Sequence, residues 1–327
     1  MNWLSGKKGL MCHYLYPLLF DRNGVQVTDF NKCIDSFDVK LFAAQVEASK
    51  VDYVVFTIGQ NSGFYIAPNP VIDKYAGPGH TSNRDLLGEI MDAVTSAGRK
   101  FIAYLPCEIN ANTTMHEGFL WQKEPGTDQK AFQERYLEMI DFWAKKYGEK
   151  LGGWWFDGCY TWDAFHSRYL DFEKWFAVLK KYNPQSVVAF NDGSFFVNSL
   201  EPVSPLQDYI SGECLEIQDG FPVFAETGEA CRFEGGRCEK NPGTIRNISL
   251  PIDALWWHGN FEEEIPGTRF KTKVPPSKME DVVFSLDELQ LVVDRFSGQG
   301  GAATFNLGIT SDGFMSPQAV DLLSKLR

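Results

Sequence analysis

Two acidic side chains close short apolar runs of the sequence, where a carboxylate can do chemistry. Asp157 stands near the end of GGWWFDG (152–158), and Glu213 ends DYISGE (208–213). A pair of carboxylates about 5 Å apart can hydrolyse a glycosidic bond with retention, one as nucleophile and one as acid/base. A wider pair activates water and inverts the sugar.

Those two tasks need contrasting surroundings. Asp157 follows Trp154, Trp155 and Phe156, so it needs hydrogen-bond donors if it is to stay ionised. A second carboxylate in a more apolar setting would keep its proton. An Asp-Gly pair at a strand end is also typical of a turn or helix cap, in which Asp157 accepts backbone N–H groups.

Three glutamates are candidates for the second carboxylate: Glu108, Glu213 and Glu216. Each could equally serve as a salt-bridge or rim residue. Glu213 is favoured, because it ends a predicted strand just before a long stretch of irregular composition.

Other polar and aromatic residues also stand at the ends of predicted strands. They are His13, Gln60, Asn61, Asn191, Asp192, Trp257, His258 and Asn306. A lone histidine in an apolar setting is commonly a satisfied core residue, and that alternative stays open for His13 and His258. The chain has no HExxH, EF-hand, GxSxG, P-loop or GxGxxG motif, so neither a metal nor a cofactor is predicted.

The elements that must position these residues alternate between short apolar runs and stretches of helical period. This alternation indicates repeated βα units around a parallel sheet. The predicted strands are 9–15, 52–59, 100–106, 152–158, 186–192, 208–213, 253–259 and 301–308, and the predicted helices are 38–49, 83–97, 128–147, 163–181, 286–297 and 317–326.

Eight such units without a linker predict a single α/β domain over 1–327, a (β/α)8 TIM barrel. The active site of such a barrel lies at the carboxyl ends of its strands. Residues 214–252 have little helical pattern and much Gly, Pro and Asn, so a long lid loop is predicted after the sixth strand. Gly158 is expected to turn the chain out of the barrel.

The composition of the chain argues against several classes of binding partner. The formal charge of −12 argues against a nucleic acid or an anionic membrane surface. No apolar run approaches the roughly 20 residues of a membrane span. The first 20 residues lack the order of a signal peptide, which leaves a cytoplasmic or a trimmed secreted protein. Seven cysteines without a CxxC pair predict no disulfide framework, although Cys231 and Cys238 could form one local bridge in an oxidising compartment.

In chain order, several segments resemble the catalytic domain of α-L-fucosidases, glycoside hydrolase family 29. GLMCHYLYP is similar to the first-strand segment with its sugar-binding His, and GGWWFDG to the fourth-strand motif with the nucleophile Asp. DYISGE resembles Asp-Tyr-x-Thr-Pro-Glu, whose Glu is the acid/base in many members. The longest match is the last part of the sequence, which contains NLGITSDG and resembles Asn-Ile-Gly-Pro-x-x-Asp-Gly.

The resemblance implies a retaining exo-glycosidase with Asp157 as nucleophile and Glu213 as acid/base, acting on a carbohydrate substrate. It further implies that the sugar pocket is lined by His13, Gln60, Asn61, Trp155, Trp257 and His258.

The chain departs from the family at residues that recognise the sugar. Gln60 and Asn61 stand where the family has its paired histidines, and Gly193 stands where it has an Arg. We therefore expect retained chemistry with an altered glycone. A related glycosidase with another sugar or an inverting mechanism, and a carbohydrate-binding relative without activity, are the alternatives.

Overall fold

The computed structural model describes residues 2–109, 111–122, 129–160, 170–193, 200–225, 227–259, 269–270 and 274–327. The strands are β1 Lys7–Cys12, β2 Tyr53–Thr57, β3 Lys100–Pro106, β4 Gly153–Asp157, β5 Val187–Phe190, β6 Glu216–Gln218, β7 Phe221–Val223, β8 Asn247–Pro251 and β9 Ala302–Asn306. The helices are α1 Phe30–Asp35, α2 Val39–Ser49, α3 Pro70–Ala76, α4 Leu86–Ser96, α5 Thr113–Phe119, α6 Lys130–Tyr147, α7 Phe172–Leu179, α8 Leu286–Arg295 and α9 Pro317–Lys325.

Seven of these strands form one curled parallel sheet in the order β5-β4-β3-β2-β1-β9-β8. The other two, β6 and β7, form a separate antiparallel hairpin. Strands β2, β5, β8 and β9 are buried throughout, as expected for a parallel sheet covered on both faces. The predicted α/β class with a parallel sheet is confirmed, but the described residues form a curled sheet of seven regular parallel strands and not the predicted closed (β/α)8 barrel of eight.

Side chains alternate between the two faces along each strand. On β4, Trp154 and Phe156 join a large outer cluster shared with the helices. Trp155 faces the other way, into an inner cluster enclosed by the curled sheet. By the same alternation Asp157 points to the inner side, at the carboxyl edge of the sheet. The inner cluster comprises Leu4, Met11, Tyr53, Val55, Ile102, Tyr104, Trp155, Val187, Ala189, Tyr209, Ile245 and Ala302.

The sixth predicted strand, 208–213, is an irregular segment between the two edge strands of the sheet. The backbone N–H of Asp208 donates to β5 at 3.0 Å, and that of Cys214 donates to β8 at 3.1 Å. Gly212 has a φ of +66°, and a Cβ on it would lie 1.8 Å from the carbonyl oxygen of Asn247. Glycine is therefore required here, and its backbone conformation interrupts regular pairing. We call 208–214 the closing segment.

The seventh predicted strand, 253–259, is wrong, because the strand is β8 and 253–259 is the loop that follows it. Two buried polar residues interrupt the apolar run of β8, so hydrophobicity alone does not predict this strand. Both Asn247 Nδ2 and Ser249 Oγ donate to the carbonyl oxygen of Ser211 at 2.8 Å. Their polarity is satisfied inside the fold, whereas DALWWHG has the aromatic composition of a strand without being one. The predicted lid loop is likewise corrected, since it contains the β6-β7 hairpin and β8.

Five predicted helices are confirmed within a few residues as α2, α4, α6, α8 and α9. The helix predicted over 163–181 is confirmed as α7, and its start at 163–169 lies outside the described residues. Helices α1, α3 and α5 were not predicted, because each spans only six or seven residues.

Side chains cap the start of several helices. Ser285 and Glu288 form a capping box at the start of α8. Helix α4 is capped by Asp85, whose side chain accepts from the N–H of Gly88 at 3.3 Å.

Candidate active site

Asp157 ends β4 and is partly exposed. Its Oδ1 accepts three hydrogen bonds, from the Gly158 N–H at 2.9 Å, the Tyr160 hydroxyl at 2.6 Å and Nδ2 of Asn191 at 2.9 Å. Gly158 has a φ of +77°, so the chain turns away directly after the carboxylate, as predicted. The alternative of a simple turn accounts for only the bond to the Gly158 N–H.

The second oxygen of Asp157 accepts from side chains on two other elements. Tyr104 of β3 donates its hydroxyl hydrogen to Oδ2, and Gln60 donates through Nε2 at 3.3 Å. Gln60 Nε2 also donates to the Tyr104 hydroxyl. Five donors therefore surround the Asp157 carboxylate, an environment that suits an anionic nucleophile.

Glu213 lies on the closing segment and faces the same site. Its Oε2 accepts a hydrogen bond from Nδ2 of Asn191. Burial, together with the negative charges of Asp157 and Asp192, raises the pKa of Glu213 to about 8, although hydrogen bonds with Asn191 and Tyr160 act in the opposite direction. A carboxyl group with this pKa is protonated at neutral pH and can act as a general acid.

Asn191 joins the two carboxylates. It follows β5, and its side chain is fully buried, whereas Asp157 and Glu213 are each partly exposed. A single nitrogen, Nδ2, donates to Oδ1 of Asp157 and to Oε2 of Glu213. The two predicted catalytic residues are therefore brought together.

His13 follows β1 on the same edge of the sheet. Its Nδ1 lies 2.7 Å from Oδ1 of Asn306, and its ring meets the rings of Tyr104 and Trp256 edge to face at 5.0 and 5.6 Å. Burial lowers the pKa of His13, so the imidazole is neutral at physiological pH. The Trp256 backbone has a φ of +65°, which is costly for a bulky residue, and strained residues of this kind cluster at functional sites.

Asn61 and Glu108 form a second polar pair beside Asp157. Asn61 donates through Nδ2 to Oε1 of the buried Glu108. Glu108 also packs beside Gly158, where a Cβ would come within 3.1 Å of its Cγ. Glu108 lies next to the site and is hydrogen-bonded to Asn61. Glu213, by contrast, is hydrogen-bonded to the Asn191 amide, which also contacts Asp157.

Two predicted site residues have partners outside this cluster. His258 lies 2.8 Å from Oε2 of Glu280 through Nδ1 and 2.8 Å from the carbonyl oxygen of Pro276 through Nε2. Burial lowers the pKa of His258, but the bond and the charge of Glu280 outweigh it and leave the pKa raised. Glu216 pairs with Arg269 at 3.0 Å.

The two predicted tryptophans differ in their positions. Trp155 lies beneath the site, stacked on Tyr104 at 5.0 Å with an interplanar angle of 13°. Trp257 is partly exposed in the loop after β8, and the ring that contacts His13 belongs to its neighbour Trp256.

The sequence analysis missed Tyr104, Tyr160 and Trp256 and gave Asn191 no specific task. Tyr104 could have been found from strand alternation, because it lies on β3 with its side chain turned inward. The contacts of Tyr160 and Asn191 join residues 22 to 34 positions apart or follow an irregular turn, and no short motif marks them.

Over the described residues, no group of three or more His, Cys, Asp or Glu side chains is arranged to hold a metal ion. All seven cysteines are free thiols, including Cys231 and Cys238. Within the same part of the chain, no helix combines the length and apolar character needed to cross a membrane.

The chain is similar to known glycoside hydrolases. Residues 24–209, more than half of the chain, match the family model described as alpha-L-fucosidase. No curated protein sequence matches the chain.

Solved structures share the fold at low sequence identity. An endo-fucoidan hydrolase of glycoside hydrolase family 107 has a TM-score of 0.67 and 16% identity, covering 98% of this chain and 52% of that one. Another endo-fucoidan hydrolase of that family has a TM-score of 0.66 and 12% identity, covering 99% and 91%. A GH29 fucosidase from Ruminococcus gnavus in complex with fucose has a TM-score of 0.61 and 14% identity, covering 98% and 64%. The chain thus spans about half of the first of these enzymes and nearly all of the second.

Proposed function

The chain belongs to the α-L-fucosidase family of glycoside hydrolases, and on this premise we propose that it is an exo-acting, retaining glycosidase for fucose-like sugars. Asp157 is the nucleophile and Glu213 is the acid/base. The substrate is an oligosaccharide or glycoconjugate. Because the family's histidine pair is replaced by Gln60 and Asn61, we propose a glycone that differs from, or is held differently than, plain α-L-fucose.

One observation carries the proposal: Asp157 and Glu213 accept hydrogen bonds from the same nitrogen of Asn191. Since a hydrogen bond spans about 3 Å, the two accepting oxygens lie within about 6 Å of each other. Retaining glycosidases hold their carboxyl groups about 5–5.5 Å apart and inverting ones about 6.5–9.5 Å. The shared amide supports the retaining arrangement.

The electrostatic contrast between the two carboxyl groups supports their assignment. Asp157 is surrounded by donors, whereas burial and the charge of Asp157 raise the pKa of Glu213 to about 8. In the first step Asp157 attacks the anomeric carbon while Glu213 protonates the leaving oxygen. In the second step the Glu213 carboxylate takes a proton from water, which attacks the glycosyl ester and releases Asp157.

We propose that the sugar contacts His13, Gln60, Asn61 and Trp256. Gln60 and Asn61 carry polar amide groups without charge, and the amide of Gln60 already lies against Asp157 at 3.3 Å. The Trp256 ring offers an apolar face beside His13. Trp155 supports Tyr104 from below, and His258 has no ring nitrogen left for a hydroxyl group, so we assign neither to direct recognition.

The test is hydrolysis of a panel of aryl glycosides that begins with the α-L-fucoside. Fucosylated oligosaccharides and fucoidan are included, so that release of single sugars can be told from internal cleavage. The anomeric configuration of the first product is read by NMR before mutarotation. We expect the retained anomer, released from the chain end.

Two matched substitutions locate the acid/base. Glu213→Gln should lose almost all turnover of substrates with a poor leaving group, and added azide should restore turnover of an activated aryl glycoside. Glu216→Gln, a change of the same kind at a residue paired with Arg269, should leave turnover within about twofold. Asp157→Ala should abolish turnover with the fold intact.

Other outcomes point to the alternatives. An inverted first product would replace the double displacement with a single one. Turnover of another glycoside but not the fucoside would keep the chemistry and change the sugar. Measurable sugar binding without turnover of any substrate would identify a carbohydrate-binding relative.

A further inference from the structure

The amide of Asn191 has only one orientation that satisfies its neighbours. Its Oδ1 accepts from the N–H of Gly193 at 3.0 Å and from the hydroxyl of Ser211 at 3.0 Å. A backbone N–H can only donate, so the side-chain atom facing Gly193 must be the oxygen. The NH2 group is thereby turned toward the two carboxyl groups.

That NH2 group has two hydrogens, and it faces the two carboxyl groups and the Tyr160 hydroxyl, which lies 3.2 Å from Nδ2. One bond runs to Oδ1 of Asp157 at 2.9 Å and another to Oε2 of Glu213. A protonated carboxyl oxygen is a poorer acceptor than the carbonyl oxygen of the same group. Donation to Oε2 therefore favours the form of Glu213 whose proton sits on Oε1.

We propose, building on the function proposed above, that Asn191 is a positioning residue that keeps the Glu213 proton on Oε1 and stabilises the negative charge on whichever carboxylate carries it. It does not touch the sugar. It acts through Asp157 and Glu213, and Ser211 and Gly193 hold it in place.

The charge moves between the two carboxyl groups during the reaction. In the first step an Asp157 oxygen forms a bond to the anomeric carbon, the bond to the leaving oxygen breaks, and its electron pair takes the proton from Oε1 of Glu213. The negative charge has then left Asp157 and resides on Glu213. The second step reverses this transfer with water as the proton source. Nδ2 of Asn191 contacts both sites of the charge, so no group has to move to follow it.

The acidity of Glu213 provides a readout that a purely structural residue would not change. The titratable groups that act on Glu213 are Asp157 on β4, Tyr160 after β4, Asp192 after β5, Tyr104 on β3 and Cys214 on the closing segment. The Asn191 bond favours the ionised form of Glu213. Removing it should raise the pKa of Glu213 further and shift the basic limb of the pH profile of kcat/KM to higher pH.

The experiment compares Asn191→Ala, Asn191→Leu and Ser211→Ala with the wild type. Asn191→Leu keeps the approximate size of the side chain but lacks the donor and adds no charge, and Ser211→Ala loosens the amide without removing it. Ser186→Ala is the control, because Ser186 is a buried serine at the other end of β5 whose hydroxyl donates to Leu179 at 3.3 Å. For each protein, Tm, kcat, KM and the pH profile are measured. The Glu213 carboxyl group is titrated by carbon-13 NMR, and its signal is assigned as the one that is missing from the spectrum of Glu213→Gln.

For Asn191→Ala and Asn191→Leu we expect kcat to fall about 10- to 100-fold, the range for hydrogen bonds to charged groups, with KM changed less than about threefold. The Glu213 titration should move to higher pH in both. Ser211→Ala should show a smaller loss of kcat in the same direction, and Ser186→Ala no loss. If Asn191→Ala does not fold, Asn191→Leu and Ser211→Ala still decide the question.

A Glu213 titration that is unchanged in the Asn191 variants overturns the inference, whatever the wild type hydrolyses. So does a kcat within about threefold of the wild type. If the wild type hydrolyses no glycoside while the Glu213 titration still moves, the proposed function is wrong and the coupling of Asn191 to Glu213 is upheld.

Discussion

Tyr104 donates its hydroxyl hydrogen to Oδ2 of Asp157 from the neighbouring strand. Its ring is stacked on Trp155 at 5.0 Å in the inner cluster, so packing fixes the position of the hydroxyl group. Burial and the charge of Asp157 raise the pKa of Tyr104 well above its ordinary value, and the hydroxyl group stays a donor throughout the physiological range. The apolar interior of the sheet thus aims a polar group at the predicted nucleophile.

Tyr104→Phe tests that arrangement. The ring and its stacking remain while one donor to a charged carboxylate is lost, so we expect kcat/KM to fall about 10- to 100-fold with little change in Tm. Steady-state kinetics and thermal melting are the measurements. Tyr53→Phe is the matched control, because Tyr53 lies in the same cluster and its hydroxyl is 2.7 Å from Thr304. Equal losses in the two variants would contradict a specific contribution of Tyr104.

The pH profile of kcat/KM should report the acidity of Glu213. Its pKa is raised to about 8 by burial and by the charge of Asp157. The acid form is the one that protonates the leaving group, so activity should decline as pH rises through about 8. In Glu213→Gln, the residual activity on an activated substrate should lack this limb. A wild-type profile that already declines above pH 5 would argue that another group is the acid.

His258 should matter for stability and not for turnover. His258→Gln removes the imidazolium partner of Glu280, so we expect the free energy of unfolding to fall by about 1–3 kcal/mol at pH 6 with kcat/KM within about twofold. The pKa of His258 is raised in the fold, so the contribution is fully present below the pKa of the unfolded chain and is lost as pH rises through the folded one. Urea unfolding at pH 6 and pH 9 measures it. A larger loss at pH 9 would reverse the expected sign.

Substitutions of Trp256 and Trp257 should differ in their effect on sugar binding. The ring of Trp256 lies beside His13 at 5.6 Å, so we expect Trp256→Ala to raise KM about 5- to 10-fold, the loss of an aromatic contact worth about 1–1.5 kcal/mol. Trp257→Ala should change KM by less than about twofold. Kinetics and titration with free sugar measure both. A larger effect at Trp257 would restore the assignment made from the sequence.

Much of the fold follows from the sequence, because buried parallel strands give continuous apolar runs. Strands β1 to β5 and β9 were located in this way. Strand β8 was not, since Asn247 and Ser249 satisfy their polar groups against Ser211, a contact across 36 to 38 residues. Sequence pattern reports the polarity of a residue and not where its hydrogen bonds end.

The candidate site, like the fold, has a part that the sequence predicts and a part that it does not. Asp157 and Glu213 stand at strand ends and are recognisable as carboxylates, and the structure brings them together. The donors around them come from β3, from the turn after β4 and from the end of β5, so no local motif describes them. His258 satisfied the same strand-end criterion, yet both of its ring nitrogens are engaged with Glu280 and Pro276.

Gly212 sets a limit on any effort to redesign this protein. It immediately precedes Glu213, and any side chain there would collide with the backbone of Asn247. Gln60 and Asn61 lie beyond the end of β2, are partly exposed, and can be varied in a library that seeks new glycones. Diversity introduced at Gly212 would instead displace Glu213 from Asp157, so that position is best left constant while the sugar-facing residues are exchanged.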